Sequence, residues 1–142
     1  MACCSFLPTV APHGTTKPLF GTNPLSFAWP RPPPAASSST SEAASIQPPL
    51  VFDMATASMA LGDVQMLARA GESVAAGVGL DRDGASTRDA RAIVDGGALL
   101  PFGGYKGSHV AMAIELLAGP LIGEYLSYVA SLEYLPDGTF IT

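Results

Sequence analysis

Pro101-Phe102-Gly103-Gly104-Tyr105-Lys106-Gly107-Ser108 stands directly before an apolar stretch with helical spacing. Glycines accept backbone conformations that side chains disfavour and let another group come close. A lysine and an incoming helix N-terminus complete a combination suited to an anionic ligand, because the first N–H groups of a helix have no partner within it. The octet is not a Walker loop, since Lys106 precedes the last glycine and no four-residue spacer leads into Gly-Lys-Ser/Thr. It does not follow the G-x-G-x-x-G dinucleotide fingerprint either. On its own it reads as a phosphate cradle or, more plainly, as a glycine-rich turn entering a helix.

Downstream, Ser108 reads as a helix cap, and Val110, Ala113, Ile114, Leu117, Ala118 and Leu121 share one stripe at helical spacing. Gly119-Pro120 ends or kinks that helix. Tyr134 to Thr142 read as a strand, a Pro-Asp-Gly turn at 136 to 138 and the start of a strand without a partner, an ending that looks cut. Upstream, residues 91 to 100 fit a short helix or an extended segment. Val78 to Leu80 read as a strand leading into the turn Asp81-Arg82-Asp83-Gly84. Asp53 reads as the N-cap of a helix over Met54 to Ala70 that Gly71 stops, with Gly62 a weak point costing about 1 kcal/mol against alanine.

Leu25 to Trp29 and Leu50 to Phe52 are strand-like and flank residues 31 to 49. That segment is rich in Pro, Ser and Ala and nearly uncharged, so it cannot bury enough apolar surface to offset its ordering entropy. It reads as a long, mobile hairpin insertion. No internal repeat is apparent. Strands mixed with two substantial helices predict an α/β (α+β) domain.

At 142 residues the chain has the length of one domain; 48% of it is hydrophobic and only 13% charged, about half the usual ~25%. So little charge implies a surface meant to be covered by more chain or by a partner. The net charge of −5, with Lys and Arg scattered, argues against nucleic acid. No apolar run approaches the roughly 20 residues that cross a bilayer. Cys3 and Cys4 are adjacent, without His or Cys company for a metal, and read as free thiols of a reducing compartment. The opening residues lack a basic n-region and Pro8 interrupts their apolar run, so they do not read as a signal peptide. The expectation is a soluble, cytoplasmic protein.

Asp63 carries the sharpest chemical question. As a helical residue it has Met59, Ala60, Met66 and Leu67 at i−4, i−3, i+3 and i+4, so its carboxylate projects into an apolar face. It is either a buried partner that orients a catalytic histidine, or a surface-edge residue pairing with a base such as Arg69. Asp53-Met54-Ala55-Thr56 closes a strand and opens a helix, a place where α/β sheets meet ligands. Thr22 and Asn23 lie in a Gly-Thr-Asn-Pro turn. His13, in a Pro/Gly loop, and His109 read as non-catalytic.

Together these segments carry a family resemblance. Pro12-His13-Gly14 with Pro18-Leu19-Phe20-Gly21-Thr22-Asn23-Pro24, then Val51-Phe52-Asp53-Met54-Ala55-Thr56, Gly62-Asp63-Val64-Gln65, Gly79-Leu80-Asp81-Arg82-Asp83-Gly84 and the run Gly96 to Ser108 resemble the malate/L-lactate dehydrogenase family of NAD(P)-dependent oxidoreductases. The likeness is to its Δ1-piperideine-2-carboxylate/Δ1-pyrroline-2-carboxylate reductase branch. It implies a mixed-sheet, non-Rossmann NAD(P)-binding domain over residues 11 to 142, incomplete at both ends, with residues 1 to 10 an N-terminal remnant. It implies that Asp53, Met54, Ala55, Tyr105 and Lys106 contact the cofactor, with NADPH ahead of NADH. Thr22, Leu61 and Gly62 would touch the substrate, and Asp63 would be the acidic partner in a Ser/His/Asp relay. No metal is implied.

The chemistry so implied is hydride transfer from NAD(P)H to a cyclic imino acid or 2-oxo acid, or the reverse oxidation, in a homodimer that binds neither nucleic acid nor membrane. Three departures stand out. The family's Ser-His-Gly-x-x-Arg proton-donor segment is absent, Leu61 stands where the branch often has His, and Tyr105 replaces a commoner His. Without the donor segment the chain by itself is expected to be inactive; the alternative is a non-catalytic remnant or interaction module that keeps the scaffold.

Overall fold

A computed structural model describes residues 1–5, 7–31 and 47–129. Its elements are β1 (Ala2–Cys3), β2 (Leu25–Trp29), β3 (Leu50–Met54), α1 (Leu61–Ala70), β4 (Gly79–Leu80), β5 (Ser86–Thr87), α2 (Ala90–Val94), β6 (Ala98–Leu99) and α3 (Tyr105–Ala118), followed by a 3₁₀ turn at Pro120–Ile122. They form two three-stranded antiparallel sheets, ordered β1-β2-β3 and β5-β4-β6. A parallel bridge between Val10 and Leu99 also occurs.

The strand expected over Leu25 to Trp29 forms over those residues and pairs with β3 in the register Leu25–Met54 to Trp29–Leu50. Phe27 and Phe52 face each other across that pair and stack at 5.0 Å. The two segments flanking the Pro/Ser-rich stretch are therefore hairpin arms. Most of the stretch, residues 32 to 46, lies outside the described residues, as do the expected C-terminal strands over 134 to 142.

Two expectations about helix starts are corrected. Asp53 and Met54 belong to β3, paired with Ser26 and Leu25, and α1 begins only at Leu61. Long-range bonds hold residues 55 to 60 extended: Thr56 N donates to Thr22 O, Phe102 N to Thr56 O and Ser58 N to Leu100 O. A helix there would forfeit all three. Gly71 ends α1 as expected, in a left-handed conformation with φ of 72°.

The other correction concerns α3, which starts at Tyr105 with Gly104 as its cap; Ser108 lies inside its first turn. Its buried face is Gly107, Ser108, Ala111, Ile114 and Glu115, while Val110, Ala113, Leu117 and Leu121 of the expected stripe are exposed. Gly107 sets this rotation, because a Cβ there would lie 2.0 Å from Phe102 O. The helix ends before Gly119-Pro120, as expected. Residues 91 to 100 combine both readings, with α2 to Val94 and β6 after it. Val10, Phe20, Val64, Val74, Ile93 and Leu99 form the centre of the core, between α1, α2 and the second sheet.

Candidate active site

Three loops that are far apart in sequence meet at Thr56. Its N–H and its hydroxyl both donate to Thr22 O, at 2.8 and 2.9 Å, and its carbonyl accepts from Phe102 N at 2.9 Å. Thr56 is almost fully buried, so these bonds are shielded from competing water. Ala57 bridges to Pro101, and Ser58 adds Ser58 N to Leu100 O at 2.8 Å and Ser58 Oγ to Val78 O at 3.1 Å. The Gly-Thr-Asn turn, the Asp-Met-Ala-Thr strand end and the glycine-rich octet are thus laced into one unit. A fourth piece joins at the octet's far end, where His13 N donates to Ser108 Oγ at 2.7 Å.

The candidate cofactor contacts sit on this unit. Asp53 is exposed, and Met54 and Ala55 are half-buried at the point where β3 leaves its sheet. Tyr105 and Lys106 are exposed in the first turn of α3. Before them Gly103 and Gly104 take φ of 57° and 61°, a conformation that favours glycine, and the space above Gly103 is open to 4 Å. The first N–H groups of a helix have no partner within it, so this end of α3 suits an anion.

The candidate substrate contacts divide. Thr22 is half-buried and tied to Thr56, whereas Leu61 and Gly62 open α1. Leu61 lines a cleft of about 390 Å³ together with Gln65, Thr9, Pro18, Ile93 and Leu99. Asp63 lies elsewhere. At about 100° per residue its side chain points roughly 160° away from those of Leu61 and Gln65. The expectation that its carboxylate projects into an apolar face is not met: Asp63 is exposed, and so are Ala60 and Met66. The buried side of α1 is Val64 and Ala68, which leaves position 63 on the outer surface.

A buried polar network went unrecognised in the sequence. Glu115, 3% exposed, accepts from Asn23 Nδ2 at 2.7 Å, from Ser127 Oγ at 3.0 Å and from Ser127 N. Asn23 also donates to Ala111 O at 3.0 Å, and its φ of 39° is held by these bonds. Asn23 Oδ1 has no partner among the described residues. The network pins the residue after Thr22 to α3 and so fixes the Gly-Thr-Asn turn from behind. The available signal was that Glu115 is the only charged residue between Val110 and Gly123.

An apolar cleft of about 190 Å³ lies beside α3, lined by Leu19, Phe20, Met112, Leu116, Leu126 and Val129. It contains none of the candidate site residues.

A glycine loop, a strand end and a threonine turn are thus fastened together by buried backbone bonds within a mixed α/β fold. Residues 1–139 match the family described as malate/L-lactate dehydrogenase, and the chain belongs to that family. It is 51% identical over 119 residues to the Δ1-pyrroline-2-carboxylate/Δ1-piperideine-2-carboxylate reductase of Pseudomonas putida, covering 84% of this chain and 31% of that protein. It is 44% identical over 139 residues to a Δ1-pyrroline-2-carboxylate reductase of Agrobacterium fabrum, covering 98% of this chain and 36% of that one. Among solved structures, the Δ1-piperideine-2-carboxylate reductase of Pseudomonas syringae pv. tomato superposes with a TM-score of 0.79 at 44% identity, over 97% of this chain and 38% of the other. The chain thus spans about a third of the length of the curated relatives it matches.

Proposed function

We propose that this chain is the nicotinamide-binding core of an NAD(P)H-dependent reductase of cyclic imino acids, with Δ1-piperideine-2-carboxylate or Δ1-pyrroline-2-carboxylate as the substrate class. What carries the reading is the junction at Thr56, which joins the three segments that bear the candidate cofactor contacts and Thr22. The relatives' names supply the chemistry. The bound cofactor would supply a hydride.

In this reading Asp53, Met54 and Ala55 hold the cofactor at the end of β3, and Tyr105 and Lys106 hold it at the glycine loop. The residues fit such a group: two positive-φ glycines precede Tyr105, open space lies above Gly103, and α3 has no acidic side chain in its first turn. Thr22, Leu61 and Gly62 face the imino acid. Asp63, exposed in this chain, is the acidic member of a relay whose histidine approaches from the outer side of α1. The domain has a non-Rossmann topology, acts in a cytoplasmic homodimer and takes NADPH ahead of NADH.

The test is a titration of the 142-residue chain with NADPH, followed by nucleotide fluorescence, together with an assay for NADPH-dependent reduction of Δ1-piperideine-2-carboxylate. Saturable binding that Lys106→Ala weakens, without turnover by the chain alone, is the expected result. Absence of saturable binding to both NADPH and NADH would sink the reading.

A further inference from the structure

Charge is distributed unevenly along this acidic chain. The first acidic residue is Glu42, and residues 96 to 114 contain none. Those two acid-free stretches contain both lysines, Lys17 and Lys106, and both histidines, His13 and His109. The fold brings the stretches together through the 2.7 Å bond from His13 N to Ser108 Oγ. Both imidazoles then pack against one ring: His13 lies 6.4 Å from Tyr105 and His109 lies 5.8 Å from it, each nearly edge-on. His13 also lies over the glycine loop, where a Cβ on Gly104 would come within 3.3 Å of its Nδ1. All three rings and both lysines are exposed.

We propose that His13 and His109, bracketing Tyr105 beside Lys106, form a receptor for a phosphate monoester, and that its ligand is the 2′-phosphate by which NADPH differs from NADH. The proposal rests on the cofactor reading above and names what sets the choice between the two nucleotides. Both histidines are exposed, and an imidazole N–H donates to a phosphate oxygen. A dianionic monoester accepts through three oxygens and prefers cationic donors. The titratable groups on the two elements that form the patch are His13 and Lys17 on one and Tyr105, Lys106 and His109 on the other, and neither carries a carboxylate there.

The experiment measures the affinity of the 142-residue chain for NADPH and for NADH. It is repeated for His13→Gln, His109→Gln and the double variant, each checked for unchanged circular dichroism. Exposed ion pairs of this kind change affinity by up to about fivefold each. NADPH binding is expected to weaken by about that factor in each single variant, NADH binding to stay level, and the double variant to bind both nucleotides alike. An equal loss of NADH affinity in the variants would assign the histidines to the shared diphosphate and overturn the proposal. So would an undiminished NADPH preference in the double variant, which leaves the cofactor reading intact. Failure to bind either nucleotide removes that reading and this one with it.

Discussion

Gly107→Ala is a demanding test of how the glycine octet is built. A Cβ at this position would stand 2.0 Å from Phe102 O, 3.0 Å from Phe102 C and 3.2 Å from Phe102 N, all backbone atoms. Carbon–oxygen contacts settle near 3.3 Å, so the two segments must part by roughly 1.3 Å. Overpacking typically costs about 1–3 kcal/mol, and backbone cannot swing aside as a side chain would. The displacement also strains the bond from Phe102 N to Thr56 O, worth about 1 kcal/mol, while alanine's helix propensity returns about 1 kcal/mol. The net expectation is a loss of about 3 kcal/mol, or roughly 6–12 °C in Tm for a domain of this size. Gly62→Ala is the internal control, since it is helical and has nothing within 4 Å, so it should gain about 1 kcal/mol. Urea denaturation of both variants, with m compared against the parent chain, decides the matter. A Gly107→Ala variant as stable as the parent, or two variants shifting in the same direction, would refute the packing argument.

Glu115→Ala strands two donors of Ser127 and one of Asn23 in the interior and is expected to cost about 3–5 kcal/mol, whereas exposed Glu124→Ala should stay within about 0.5 kcal/mol; urea midpoints compare them. Thr56→Val removes only the hydroxyl bond to Thr22 O and leaves the N–H bond in place, so about 1 kcal/mol should be lost, with faster hydrogen exchange at the Thr56 amide as the local readout. Leu99→Ala, at a fully buried position in the core, should cost about 2–5 kcal/mol by thermal unfolding monitored by circular dichroism.

Signals of short range were legible in the sequence. Leu25 to Trp29 could be read as a strand because its composition and flanking turns are local, and Gly71 and Gly119-Pro120 mark helix ends by backbone chemistry alone. The start of α1 was not legible. Asp53 looks like a cap, and what overrides it is a set of bonds to Thr22, Leu100 and Phe102, partners more than thirty residues away in sequence. The family motifs identified the segments of the candidate site, but the junction that joins them runs through main-chain groups that every residue carries. Asp63 shows the same limit, since helical spacing names its neighbours without saying which side of α1 faces the core.

The orientation of α3 shows how such a limit arises physically. By hydrophobicity alone Val110, Leu117 and Leu121 should be inside and Glu115 outside, yet the reverse holds. Burying three such side chains would be worth roughly 5 kcal/mol, at about 1.5–3 kcal/mol each when burial is complete. Against this stand two terms tied to one face. Only Gly107 can lie on Phe102 O at that distance, so any other face would push the helix away from the glycine loop and break the junction with Thr56. Glu115, once inside, satisfies three donors that would otherwise be left unpaired at about 1–3 kcal/mol each. Steric access at the first turn and polar satisfaction two turns later therefore select the same rotation. The exposed apolar stripe is the consequence, and the helix is held so that its first turn presents Tyr105, Lys106 and His109 beside the glycine loop.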